Sequence, residues 1–297
     1  MLTLLVNEKK KISKFIEIFM FLNKLNEIIS ISCHNDKIMF QVINKNKISI
    51  ADIIINSTFF KIFEINDKDV DIMSKKESKN ETKEGTKNET KEESDEESDE
   101  ESDEESNEES DEEEEKTLYI RFGINVKDIV NIFKCYKQKL HDSIKITIEK
   151  NKDICIELIN NLSPVTSINL KECEYEEKLL TCNEFETDLN FKLGIKDLND
   201  YMKIVDKKDF CVKYSLNKLS LLCEHGQVIL NTDIYKSFYA KDNLEHSFFV
   251  TYQDFNKICK IKYFNDINVG FKVDKPISLI INDDDLYIKY FMTTITN

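Results

Sequence analysis

Four stretches of the chain share one arrangement, in which a short strand runs directly into a short amphipathic helix. In the clearest copy, Tyr119–Phe122 is β-branched and aromatic, and Asn125 is a residue type that caps helices well. One apolar stripe with helical spacing follows: Val126, Ile129, Val130 and Phe133. The opposite face carries Lys127, Asn131 and Lys134. This copy predicts a strand followed by a helix with a lysine-bearing outer face.

The other three copies repeat this pattern at regular positions. Residues 191–203 place Gly194 at the cap position, and residues 248–260 place Thr251 there. A looser copy opens the chain, with strand 2–6 and then a helix over residues 9–24. Each helix has lysines off its apolar stripe. Self-similarity of this kind indicates an internally repeated architecture.

Short strands at hairpin spacing follow the helices and complete the repeats. The predicted fold class is therefore α+β, with two similar βαβββ-type halves that each contain two helices. Residues 171–184 have neither helical nor strand periodicity and are acidic, which is typical of a linker. The predicted domains are residues 1–170 and 185–297.

The negative charge of the chain is concentrated in one tract. Residues 74–116 contain 22 acidic residues and seven lysines, whereas the rest of the chain has 35 acidic and 35 basic residues. The tract repeats Ser-Asp-Glu-Glu with a period of four. Like charges repel and cannot bury a core, so we expect a disordered insert. It is a solvated low-complexity insertion without further function, an acidic segment that attracts basic partners, or a substrate for an acid-directed kinase. The candidate phosphorylation sites are Ser94, Ser98, Ser102, Ser106 and Ser110.

Motifs for catalysis and metal binding are scarce. With five glycines and no Gly-rich phosphate loop, the sequence does not favour ATP use. Cys33–His34 and Cys223–His225 lack zinc spacing and are better explained as strand residues than as half of a metal site. Asn282–Asp285 is either a hairpin turn or a cation-binding cluster, and its place between two predicted strands favours the turn. We expect no metal, no cofactor and no enzymatic activity.

The cysteine pattern, with no secretory signal or long apolar span, predicts reduced thiols in an intracellular protein.

Three short motifs carry a resemblance to a known family. Ser57-Thr-Phe-Phe60 follows the third strand, Asn169-Leu-Lys-Glu-Cys-Glu174 precedes the linker, and Tyr290–Asn297 closes the chain. Together with the paired halves, they resemble the DNA sliding clamps of the proliferating-cell-nuclear-antigen superfamily. Within it, they are most similar to the Rad-nine subunit of the nine-one-one DNA-damage checkpoint clamp. Members of that family usually continue into a long phosphorylated tail, and this sequence departs from the pattern there.

The resemblance implies a ring in which helices line the hole, sheets form the outside and edge strands join neighbouring subunits. It implies a non-enzymatic, nuclear subunit of a heterotrimer, without membrane association, that encircles double-stranded DNA. Such a ring is placed at damaged DNA by a clamp loader and tethers repair and checkpoint proteins. The alternatives are a homotrimeric replicative clamp and, less favoured, a 3′–5′ exonuclease, for which the sequence offers no paired carboxylate motifs.

Lysines on the outer helix faces suit a sliding clamp, because mobile point charges attract phosphates without reading bases. The alternative for any one helix is an ordinary solvated face. The candidate DNA-facing residues are Lys10, Lys14, Lys127, Lys134, Lys196, Lys203, Lys257 and Lys260.

The resemblance also implies an apolar pocket for partner peptides beside the linker. Matched by position, its walls are Ile43, Lys47, Leu179, Leu180, Pro276 and Phe291. Four of these are apolar residues that local patterns do not assign to the core, so they either form an exposed interaction site or cap the ends of the sheets.

Overall fold

A computed structural model describes residues 1–65, 120–149, 153–174, 184–205, 207–215, 218–230, 235–241 and 244–294. The acidic tract with its five serines lies outside the described residues. So do Leu179 and Leu180, together with most of the predicted linker.

The described residues form four α-helices, one 3₁₀ turn and 18 strands. As predicted, each helix follows one strand and is followed by at least three strands. The helices are α1 (Lys9–Leu25), α2 (Val126–Lys134), α3 (Ile195–Ile204) and α4 (Tyr252–Cys259). The strands before the linker are β1 (Leu2–Val6), β2 (Ile28–Cys33), β3 (Lys37–Ile43), β4 (Ser49–Asn56), β5 (Ile62–Ile65), β6 (Ile120–Asn125), β7 (Ser143–Ile148), β8 (Ile154–Asn160) and β9 (Ser163–Leu170). Those after it are β10 (Leu189–Gly194), β11 (Phe210–Ser215), β12 (Lys218–Cys223), β13 (Gly226–Leu230), β14 (Ser237–Ala240), β15 (His246–Val250), β16 (Asp266–Phe271), β17 (Ile277–Asp283) and β18 (Leu286–Met292).

Four βαβββ units are present, which confirms the predicted repeat. They begin at β1, β6, β10 and β15, while β5 and β14 are additional strands. The predicted caps are also found: Asn125, Gly194 and Thr251 occupy the N-cap positions of α2, α3 and α4. The Asn125 side chain accepts a hydrogen bond from the Lys127 backbone N–H at 3.0 Å, which satisfies one open donor of the first turn. β14 was missed by the sequence analysis, because its four residues are too few to show a period.

The described strands form three antiparallel sheets. The five-stranded sheet has the order β5-β1-β7-β8-β9, and the four-stranded sheet has the order β13-β12-β11-β15. The nine-stranded sheet has the order β14-β10-β16-β17-β18-β4-β3-β2-β6. This last sheet contains strands from both halves, because β18 pairs with β4 from Leu286↔Ile55 to Met292↔Ser49. The predicted domain boundaries remain a prediction, and the two halves are continuous through this sheet.

The helices pack on the sheets through aromatic and aliphatic side chains. Phe15 of α1 is 1% exposed and its ring contacts four others, those of Phe19, Phe59, Phe60 and Phe133, at centroid distances of 5.1 to 6.2 Å. The Phe59–Phe60 pair is thus part of the core. Among the described residues, no helix is long and apolar enough to cross a membrane.

We expect the chain to fold without the acidic tract. Deleting residues 74–116 leaves β5 and β6 intact, and β6 keeps its pairing with β2 from Cys33↔Ile120 to Ile28↔Asn125. A shorter connection between these strands also costs less closure entropy. Melting temperature and circular dichroism should match those of the full chain, whereas insoluble expression or a large fall in melting temperature would show that the tract is structural.

Candidate nucleic-acid interface

Lysines lie on the solvent side of all four helices. α1 contacts α2 and α4, and α3 contacts α4, so the helices of the two halves form neighbouring pairs. Six of the eight predicted DNA-facing lysines are exposed: Lys10, Lys127, Lys134, Lys196, Lys203 and Lys260. Their placement is compatible with the predicted surface, and their contact with DNA stays a prediction.

Lys14 does not belong to this exposed set, so the expectation of an outward-facing Lys14 is wrong. The residue is 7% exposed, its ammonium is paired with Asp283, and it lies 5.4 Å above the ring of Phe264. Both partners come from the far end of the chain. The ion pair therefore joins α1 to the second half, and sequence spacing alone gave no sign of it.

Two other lysines that were predicted to face DNA form ion pairs within their own helices. Lys203 pairs with Asp200 and Lys257 pairs with Asp254, each at 2.6 Å and with i,i+3 spacing. Asp254 is 2% exposed and also accepts a hydrogen bond from the Asn44 side chain at 3.1 Å. Lys257 therefore helps to hold α4 against the first half and contributes less free charge to the surface.

A basic cleft of about 610 Å³ is lined by residues of α1, α3, α4 and the segments after α3 and α4. Five lysines converge on it, and it joins the two halves of the chain. We call this the lysine cleft, and its lining includes Lys24, Lys203, Lys207, Lys260 and Lys262. Glu17 is the only acidic residue among the described residues that line it. A concave, positively charged site of this kind focuses the local field and attracts anions such as phosphate groups.

The electrostatics of the cleft centre on Glu17 and Lys24, which lie seven residues apart on one face of α1. Burial raises the pKa of Glu17, and this rise is partly offset by the charges of Lys24 and Lys262 and by the Lys262 backbone N–H. Lys24 is at the surface but in a crowded concave position, which lowers its pKa, and Glu17 opposes that change. Each group thus stabilises the charged form of the other.

Lys24, Lys207 and Lys262 were missed by the sequence analysis. Lys24 stands in the last turn of α1, and the other two follow the ends of α3 and α4. All three lie outside the repeated pattern of helix and lysine face. The usable signal was the bias of lysine towards helix C-termini, where a positive charge is favoured.

The residues predicted to form the peptide pocket are partly brought together. Ile43 and Phe291 both pair with Ile50, so they occupy the same level on one face of the nine-stranded sheet. Of the two alternatives for Phe291, burial at the end of the sheet is the one found: it is 5% exposed and its ring lies 6.2 Å from that of Phe185. The segment that leads into the second half therefore covers Phe291. Pro276 is half-buried and directly precedes β17.

A groove of about 440 Å³ lies next to this face. Ile43 and the exposed Lys47 line it, together with Ile28, Val42 and Glu174. Pro276 and Phe291 are not among its lining residues. The predicted pocket thus corresponds to this groove for its first-half residues only, and its role remains a prediction.

The Asn282–Asp285 segment lies at a hairpin, as expected: Asn282 and Asp283 end β17, and Asp284 and Asp285 form the turn to β18. Two of its carboxylates are engaged by α1 and the 3₁₀ turn: Asp283 pairs with Lys14, while Asp285 lies 3.1 Å from the Lys11 ammonium and accepts a hydrogen bond from the Thr58 hydroxyl at 2.6 Å. Among the described residues, no group of three or more metal-ligating side chains is present. The seven described cysteines form no disulfide with one another.

No protein-family model and no curated protein matches the chain. Solved structures match it over almost its whole length. A chain from the PCNA2–PCNA3 complex of Sulfolobus tokodaii has a TM-score of 0.70 at 12% identity, covering 98% of both chains. The proliferating cellular nuclear antigen of Entamoeba histolytica has a TM-score of 0.69 at 10% identity, covering 99% of both chains. A. fulgidus PCNA, solved with the C-terminal region of FEN-1, has a TM-score of 0.70 at 8% identity, covering 100% of this chain and 99% of that one.

The chain therefore has the sliding-clamp fold, as the sequence analysis expected. At these identities the likeness establishes the fold alone, so the function has to be argued from the surfaces of this chain.

Proposed function

We propose that the chain is a subunit of a DNA sliding clamp, a ring that encircles double-stranded DNA without reading its sequence. The observation that carries this proposal is the lysine cleft, which joins helices of both halves in a chain with the clamp fold from end to end. Lysines attract backbone phosphates in a sequence-independent way. The exposed lysines of α2 and α3 extend the positive surface on either side.

The edges of the smaller sheets supply surfaces for ring assembly. In the part of the chain that the structure describes, β9 and β13 each pair along one side only. Neither strand contains a charged residue, although charges normally protect sheet edges from association. Val165 on β9 and Ile229 on β13 are 58% and 55% exposed. Because the two edges are different, β9 of one subunit pairs with β13 of the next, and this head-to-tail contact closes into a ring.

Within this class, we favour the checkpoint clamp over the replicative clamp. The motifs at residues 57–60, 169–174 and 290–297 resemble the Rad-nine subunit, which occupies one place in a heterotrimer. The ring would be loaded at damaged DNA in the nucleus by a clamp loader and would tether repair and signalling proteins. A homotrimeric replicative clamp is the second candidate, and the uncharged edges are compatible with either assembly.

Light scattering of the purified chain distinguishes the two assemblies. We expect a monomer, because a checkpoint subunit needs two different partners to close the ring. A trimer would favour the replicative clamp instead.

In the reconstituted ring, Val165→Lys is expected to block incorporation with a melting temperature near that of the unchanged chain, since surface changes usually cost under about 0.5 kcal/mol. The matched control is Val273→Lys, at a residue that is 46% exposed outside β9 and β13.

The face that carries Ile43 and Phe291 is proposed to receive peptides of repair proteins. The A. fulgidus PCNA structure contains the C-terminal region of FEN-1, which supports peptide capture by a clamp of this fold. We expect Phe291→Ala to weaken the binding of such a peptide at least about tenfold, because the buried ring supports this face and truncating an aromatic side chain in a docking site often costs about 2 kcal/mol or more. Isothermal titration measures the effect.

Burial of Phe291 makes a folding control necessary for this prediction. Ile43→Ser tests the same face at a less buried position, and Phe249→Ala, on β15, is the matched control. Equal peptide affinity for Phe291→Ala, Ile43→Ser and the unchanged chain would show that partners dock elsewhere.

A further inference from the structure

The chain carries both a concentrated negative charge and a concentrated positive site. Residues 92–115 contain 18 acidic residues and no lysine, while the residues outside 74–116 are balanced in charge. The lysine cleft, by contrast, is lined by five lysines and one carboxylate in the described residues. The two features are therefore complementary in charge and belong to the same molecule.

Residues 92–115, which we call the acidic run, are joined to β6, and this attachment brings them within reach of the cleft. Glu115 precedes the start of β6 at Ile120 by five residues. β6 is six residues long, or about 20 Å. At its end, the Val126 backbone N–H donates to the Glu27 carbonyl at 2.8 Å, and Glu27 follows Lys24 by three residues. The path from Ile120 to Lys24 is thus about 33 Å at most.

An extended chain covers about 3.3 Å per residue, so roughly ten residues span that path. The acidic run extends 28 residues upstream from Ile120, to Glu92. Most of its carboxylates can therefore reach the lysines of the cleft without any change in β5, β6 or the helices.

We propose that the acidic run at residues 92–115 occupies the lysine cleft when DNA is absent and competes with DNA for it. This inference rests on the proposed function, because it concerns the same cleft. The run presents three carboxylates in every Ser-Asp-Glu-Glu repeat, or one charge in about 4 Å of extended chain, as a substitute for the phosphates of a DNA strand.

Tethering makes a weak contact effective. A segment on a connection of this length has an effective concentration on the order of 1 mM at the cleft. If its intrinsic Kd is about 0.1 mM, DNA affinity falls about tenfold through competition. DNA bound by the closed ring overcomes this loss, whereas a short or transient contact with DNA does not. The acidic run therefore selects against binding of the free subunit to DNA.

Zero-length carbodiimide crosslinking of the full chain, followed by mass spectrometry, tests the proposal. The reagent joins carboxylates to amines that are in direct contact. We expect residues 92–115 to crosslink to Lys24, Lys207, Lys260 and Lys262 about tenfold more than to the exposed control lysines Lys213, Lys218 and Lys275. The preference should disappear in about 0.5 M salt, which screens exposed charges. Equal crosslinking of the two sets of lysines in low salt would overturn the proposal.

A second measurement separates this inference from the proposed function. Deleting residues 74–116 should raise the affinity of the chain for short duplex DNA about tenfold. An unchanged affinity would contradict competition by the tract. Crosslinks to the cleft that persist at saturating DNA would instead show that DNA binds another surface, which overturns the assignment of the cleft to DNA and leaves tract docking in place.

Discussion

Replacing Lys24, Lys260 and Lys262 together with glutamine is expected to lower the affinity of the assembled ring for DNA by at least about 50-fold in about 0.1 M salt. Each phosphate contact contributes about 0.9 to the slope of log affinity against log salt concentration. Loss of three contacts should therefore reduce the slope by about 2.7. Fluorescence anisotropy with a labelled duplex, between about 0.05 and 0.2 M salt, measures both quantities.

The matched control for this change is the replacement of Lys213, Lys218 and Lys275 with glutamine. It removes the same charge from exposed positions outside the cleft. A loss of affinity that is equal in both variants would show that net charge, rather than the cleft, determines binding. Unchanged affinity in the cleft variant would exclude these three lysines as phosphate contacts.

Phe15→Ala is expected to lower the free energy of unfolding by about 3–5 kcal/mol, the usual cost of truncating a buried aromatic side chain. The Phe15 ring is 1% exposed. From α1 it packs against Phe133 of α2 and against the Phe59–Phe60 pair. The edge-to-face contact with Phe60, at an interplanar angle of 84°, contributes a favourable ring–ring interaction in addition to the buried area, and the truncation removes both. Guanidinium denaturation with fluorescence or circular dichroism detection gives the value.

Phe249→Ala is the control for this truncation, because Phe249 is 36% exposed. We expect its cost to stay below about 1 kcal/mol. A similar loss for both variants would indicate that the aromatic cluster around Phe15 does not hold the helices to the sheets as the packing indicates.

Periodicity predicted most of this fold, and the reason is physical. A half-buried helix or strand must place its apolar residues on one face, so Phe15 and Phe19 of α1 and the stripe of α2 were identifiable from spacing alone. Caps such as Asn125 marked where helices begin. The same pattern in four units made the repeat itself recognisable.

Tertiary contacts were not predictable in the same way. The burial of Lys14 depends on Asp283, which lies 269 residues away in the chain. Phe291 is covered by Phe185 from the segment after the linker, and no local pattern indicates that contact. The lysine cleft combines residues from three helices and two connections, so spacing within any one element did not identify it.

A subunit of a ring that encircles DNA stays on a closed circle and slides off a free end. The most direct test is retention of the tagged, natively purified complex on singly nicked circular DNA, after loading in an extract with ATP, before and after the circle is cut. We predict that the complex stays on the intact circle through a high-salt wash and slides off once the DNA is linear. Equal retention on circular and linear DNA, or equal release from both, would show that the complex does not encircle DNA.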